Sequence, residues 1–90
     1  MEEERKAKIR EQLESFHEWP SIFMFKFIFP SATVQLVDIK SKFPEQVEYA
    51  VKTSSGGKYT SLTVREMVMN SEDVFTRYKD VSSIEGVIAL

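Results

Sequence analysis

The chain contains no cysteine. That removes disulfides, thiolate nucleophiles, zinc ribbons and iron–sulfur clusters together. It contains a single histidine, His17, beside Glu18 and Trp19. A histidine-based triad needs a nucleophile and an acid converging on that point, and a metal site needs several ligands at regular spacing. Neither pattern is legible, so His17 is expected to be a surface residue at a helix end, with no catalytic residue and no metal. Glycine and proline number three each, too few for a long disordered tract. No charge of one sign dominates: 12 Lys and Arg against 14 Asp and Glu leave a net charge of -2. A general nucleic-acid binder carries a basic surplus instead. No apolar run is long either. The longest, Ile22 to Pro30, is interrupted by Lys26, whereas a membrane-spanning helix needs about 20 residues. Met1 to Arg10 alternates acids and bases, unlike a secretory signal, and neither Glu2 nor the final Ile-Ala-Leu suits lipidation. A soluble cytoplasmic protein with no cofactor, no nucleic-acid partner and no membrane partner is expected.

What is present is globular. The 90 residues are 42% hydrophobic and 29% charged, which suits one domain with a modest core. Such a chain buries roughly 60–65% of its unfolded surface. Residues 2–16 read as a helix with a narrow stripe of Ile9, Leu13 and Phe16, and acidic residues at the positive end of its dipole. Trp19-Pro20 closes it, because a residue before proline avoids helical angles. Residues 21–29 alternate as a strand: Phe23, Phe25, Phe27 and Phe29 face one way, Ile22, Met24, Lys26 and Ile28 the other. A second helix is expected to open at Pro30-Ser31, with Ser31 as N-cap and Leu36, Ile39 and Phe43 on one face near Val37.

Pro44 ends that helix, and Glu45 to Thr53 alternates again, with Val47, Tyr49 and Val51 inward. Ser54-Ser55-Gly56-Gly57 reads as a hairpin loop, since two glycines permit positive φ. Lys58 to Met69 is a long third strand with Leu62, Val64 and Val68 on one face. Asn70 or Ser71 caps a last helix whose stripe is Val74, Phe75, Tyr78 and Val81. Gly86 precedes a final strand, Val87 to Leu90. The order is a helix followed by β-α-β-β-α-β. Two right-handed crossover units joined by a hairpin give a ferredoxin-like α+β fold: a four-stranded antiparallel sheet with two helices on one face. Residues 1–18 would then be a helical extension and residues 19–90 the domain.

That plan leaves one sheet face uncovered, displaying Ile22, Met24, Lys26 and Ile28 from the first strand and Tyr59, Ser61, Thr63, Arg65 and Met67 from the third. An apolar patch on a small protein calls for a cover. Three covers are possible: the N-terminal helix folded back, a second copy of the chain, or a different protein. Other sites are weaker. Ser54, Ser55, Gly56, Gly57 and Lys58 could contact a small anion through turn N–H groups and the lysine charge. The spacing is not that of a P-loop, which joins a strand to a helix. Gly57-Lys58-Tyr59 invites an RNA-recognition comparison, but that use of the fold needs further aromatics on the open face. Ser61 and Thr63 stand there instead. An acylphosphatase-like site needs an arginine in the turn after the first strand, and Phe29-Pro30-Ser31-Ala32-Thr33 has none.

Several stretches resemble the YbeD-like family of small bacterial proteins. Trp19-Pro20 leading to Phe23 and Lys26 is similar to that family's opening. Val51 to Val64, with Ser54, Ser55, Gly56, Gly57, Tyr59 and Ser61, resembles its most recognisable stretch, and Ile84 to Leu90 its short final strand. The similarity covers about residues 16–90. It implies an ACT-like βαββαβ fold and a regulatory role, sometimes linked to lipoate metabolism, with no catalytic residues. The expected function is therefore a non-catalytic regulatory or protein-interaction module, a homodimer or a dock for another protein. Ile22, Met24, Lys26, Ile28, Arg65 and Met67 are the expected surface. A small-ligand sensor for an anion or amino acid is the alternative.

Overall fold

Strict alternation along one ten-residue segment organises the molecule. In β1 (Ser21–Pro30), Phe25, Phe27 and Phe29 are buried while Ile22, Met24 and Lys26 are exposed. A computed structural model describes residues 3–16 and 18–90; Met1, Glu2, His17 and the Phe16 side chain lie outside what it describes. Around β1 come α1 (Glu3–Phe16), α2 (Leu36–Lys40), β2 (Glu48–Thr53), β3 (Tyr59–Val68), α3 (Ser71–Ser82) and β4 (Ile88–Ala89). The sheet order is β2-β3-β1-β4, with every neighbouring pair antiparallel. This is the ferredoxin-like arrangement that the alternation and the two crossovers predict.

The core lies between the sheet and α2 and α3. Phe25 and Phe27 meet Leu62, Val64 and Val68 of β3, Ile39 and Phe43 from the α2 segment, and Val74 and Val81 of α3, all buried. The rings meet edge-on, Phe25 lying 4.8 Å from Phe23, 5.4 Å from Phe43 and 5.2 Å from Tyr78. Such contacts add roughly 0.5–1.5 kcal/mol each beyond area burial. One charge enters this layer. Glu66 occupies an inward position of β3, and Arg77 of α3 donates to both its carboxylate oxygens at 2.8 and 2.7 Å. That hydrogen-bonded pairing with Glu66 raises the Arg77 pKa further above its ordinary value.

Several expected boundaries move. The second helix does not open at Ser31. Residues 31–34 form turns in which the Val34 N–H donates to the Pro30 carbonyl, and the Ser31 hydroxyl hydrogen-bonds Thr60 at 2.7 Å. The helix starts at Leu36 with Gln35 as N-cap and no side-chain cap bond. Val37 faces solvent rather than joining Ile39. The second strand begins at Glu48, not Glu45, and Val51, although on the helix side, is exposed because it lies on the sheet edge. The last strand is Ile88–Ala89, though the Leu90 N–H still donates to the Lys26 carbonyl at 2.8 Å. Asn70 caps α3 as expected, its side chain accepting from the Asp73 N–H at 3.1 Å.

The N-terminal helix is not laid on the open face. α1 contacts α3, on the side already covered by helices. Lys6 and Arg10 lie 5.3 and 5.6 Å from the centre of the Phe75 ring, Arg10 pairs with Glu72, and Leu13 packs against the core. Phe75 is thus half-covered by α1 instead of sitting in the central layer. An α3 stripe wider than the sheet can bury explains this: Val74 and Val81 face the sheet, and Phe75 needs a second neighbour.

Candidate functional site on the open sheet face

Register assembles the surface. Across β1 and β3, Ile22 stands opposite Met67, Met24 opposite Arg65, Lys26 opposite Thr63 and Ile28 opposite Ser61. β2 adds Glu48 beside Arg65, Ala50 beside Thr63 and Lys52 beside Ser61; β4 adds Ile88 beside Ile28. Side chains paired across a ladder point to the same face, so all of these lie on the side away from α2 and α3. Ile22, Met67 and Met24 are 63%, 56% and 51% exposed. Ile28 is half-buried, flanked by the last strand. Tyr59, Ile88 and Leu90 are further exposed apolar residues at the same end of the sheet. A shallow depression is lined by Ile22, Met24, Gln46, Glu48, Arg65 and Met67. Among the described residues, Lys26 and Arg65 form no ion pair. All six side chains expected on this surface therefore come to one face. Ile88 and Leu90 join them without having been singled out, because the register of a two-residue strand is not readable from its own sequence; Glu48 joins from β2, brought beside Arg65 by the β2–β3 register.

The hairpin loop is placed at the far end of the β2–β3 ladder. Gly56 and Gly57 adopt φ of 85° and 74°, the left-handed region that glycine enters without strain. The Gly57 N–H donates to the Ser54 carbonyl at 2.8 Å, the Ser54 N–H to the Tyr59 carbonyl at 2.8 Å, and the Tyr59 N–H to the Ser54 hydroxyl at 3.0 Å. Three donors that could face an anion are thus engaged within the turn. Lys58 and Ser55 are exposed.

Titratable groups with displaced pKa values lie away from this face. Glu14 is held below the usual carboxylate range, first by its hydrogen bond with the Ser71 side chain, then by the Ser71 N–H, Trp19 and the Arg10 charge. Burial pushes the Tyr78 hydroxyl up; burial and then the Glu66 charge do the same for Tyr49. Each belongs to the helix side of the sheet or to a helix junction. Among the described residues, no group of three or more His, Asp and Glu side chains is placed to hold a metal ion, and no helix is long and apolar enough to cross a membrane.

These features define a ferredoxin-like α+β protein with one face sealed by helices and the other open, partly apolar and carrying the cations Lys26, Lys52 and Arg65. The chain belongs to the family described as "Protein of unknown function (DUF493)", which matches residues 14–90. It is similar to a "UPF0250 protein" of Shewanella sediminis, 35% identical over 75 residues that cover 78% of this chain and 84% of the relative. A "UPF0250 protein" of Buchnera aphidicola subsp. Schizaphis graminum is 33% identical over 87 residues, covering 91% and 94%. No solved structure matches the chain. The resemblance read from Trp19-Pro20 and the Ser54–Tyr59 hairpin therefore led to the right family.

Proposed function

We propose that this protein is a non-catalytic regulatory or adaptor module of the cytoplasm, with residues 1–18 an extension and residues 19–90 the interacting domain. It docks another protein on the open sheet face. The observation that carries this is the exposed row Ile22, Met24 and Met67 in register across two central strands, with Lys26 and Arg65 beside it. Contiguous exposed apolar surface on a small protein marks an interaction site. Burial of these side chains would supply most of the affinity, and the two cations would orient the partner. The partner should present an apolar surface flanked by carboxylates.

The test is affinity capture from a native bacterial lysate with wild type and with Met24→Glu. Met24 is on the outer face, so the variant keeps its fold and loses the captured protein. Equal capture by wild type and variant would place the contact elsewhere. Lys26→Glu should weaken the same capture and flatten its loss in salt, because the attraction that salt screens is removed.

A further inference from the structure

The sheet has one long unpaired edge, and its sequence is complementary to itself. β2 is the terminal strand of the order β2-β3-β1-β4. The direction of its backbone groups follows from the ladders. The Leu90 N–H donates to the Lys26 carbonyl, so even-numbered residues of β1 turn their backbone groups toward β4 and odd-numbered ones toward β3. Antiparallel neighbours alternate in this way along a regular ladder. The register then turns odd-numbered β3 residues toward β2, and Glu48, Ala50 and Lys52 toward β3. The bond from the Ser54 N–H to the Tyr59 carbonyl continues that ladder and agrees. Tyr49, Val51 and Thr53 therefore direct their N–H and C=O groups outward, and among the described residues no strand receives them.

We infer that a second copy of this chain pairs there, β2 against β2 antiparallel about Ala50. In that register Tyr49 stands opposite Val51 of the other copy, and the outward backbone groups of both meet as a hydrogen-bonded pair. On the open face Glu48 stands opposite Lys52, twice by symmetry. Sliding the strands so that two Glu48 or two Lys52 residues meet places like charges opposite each other, which is unfavourable. The slides in between oppose Glu48 or Lys52 to uncharged residues. Charge thus selects the Ala50-centred register. On the helix side, two exposed apolar residues flank the same edge. Val51 is 48% exposed, and Val37 of α2 is 68% exposed. Lys40 of α2 lies over the Tyr49 ring at 4.7 Å, and Val37, three residues earlier, shares its side of the helix. The pairing is isologous, as a two-fold dimer requires. It yields one eight-stranded sheet with all helices on one side and both open faces on the other, so it stands independently of what docks on those faces.

The experiment is sedimentation velocity over a concentration series with full-length wild type, Glu48→Lys and Lys52→Glu. Both residues are exposed and form no ion pair among the described residues, so circular dichroism of each variant should match wild type. Wild type dimerises. Each single variant turns two attractive cross-strand pairs into two repulsive ones, and its dimer dissociation constant rises at least about tenfold. An equimolar mixture of the two variants restores the dimer. One variant then carries lysine at both positions and the other glutamate at both, so each cross-strand pair again joins opposite charges. Wild type that stays monomeric at high concentration overturns the inference. So does a dimer indifferent to either single change, or two variants that fail to associate when mixed. Met24→Glu should dimerise like wild type, which separates this edge from the open face.

Discussion

At the scale of single residues, position in the alternation outranks residue type. Met24 and Phe25 are neighbours and both apolar, yet one is half-exposed and the other has no accessible surface. Phe27→Ala should therefore cost about 3–5 kcal/mol in urea unfolding, the range for an aromatic removed from a packed core. The Met24→Glu change should stay within about 0.5 kcal/mol of wild type, as surface substitutions do. Glu66 shows the converse, a charged residue on an inward position. Its carboxylate tolerates burial because Arg77 satisfies both oxygens. Arg77→Met should destabilise by about 3 kcal/mol, since it leaves a buried charge unpaired. The double variant with Glu66→Gln should recover part of that loss. Equal stabilities of the single and double variants, in denaturant titrations at neutral pH, would mean that the pair contributes through packing alone.

At the scale of elements, the helices are held by their ends. Asn70→Ala removes the side-chain cap of α3 and should cost about 1 kcal/mol. The same helix start receives Glu14 from α1, whose carboxylate accepts the Ser71 N–H at 3.4 Å. Glu14 has a folded-state pKa below its ordinary value of 4.5. A depressed carboxylate contributes stability that is present above the unfolded pKa and is lost as pH falls through the lower, folded one. Glu14→Gln should accordingly lower the melting temperature slightly at pH 7, and the difference from wild type should vanish at strongly acidic pH. A gap that persists there would rule out the charge as its origin. The short α2 follows from competition: the Pro30 carbonyl and the Ser31–Thr60 bond hold residues 31–34 in turns, so only Leu36–Lys40 remain for the helix.

At the scale of the molecule, α1 behaves as a strap across α3 rather than a lid over the sheet. A chain of residues 19–90 should fold, but it loses Leu13 from the core margin and the cationic cover of Phe75. Its melting temperature should fall by several degrees, about 4–8 °C for each kcal/mol removed from a domain of this size. An unchanged melting temperature would show that the strap adds nothing to stability. Local rules sufficed for the strand phases, the hairpin, the α3 cap and the ferredoxin-like order, because period-two alternation, paired glycines and Asn70 act over a few residues. The six side chains Ile22, Met24, Lys26, Ile28, Arg65 and Met67 could be placed on one face for the same reason: in a sheet, face follows parity. Three features were decided only by tertiary packing. The helix begins at Leu36 because a distant strand claims Ser31; α1 lies on α3 because Phe75 offers a ring to Lys6 and Arg10; and β2 keeps a bare edge because no other described strand reaches it. Each depends on contacts between residues far apart in the chain, which no local period encodes.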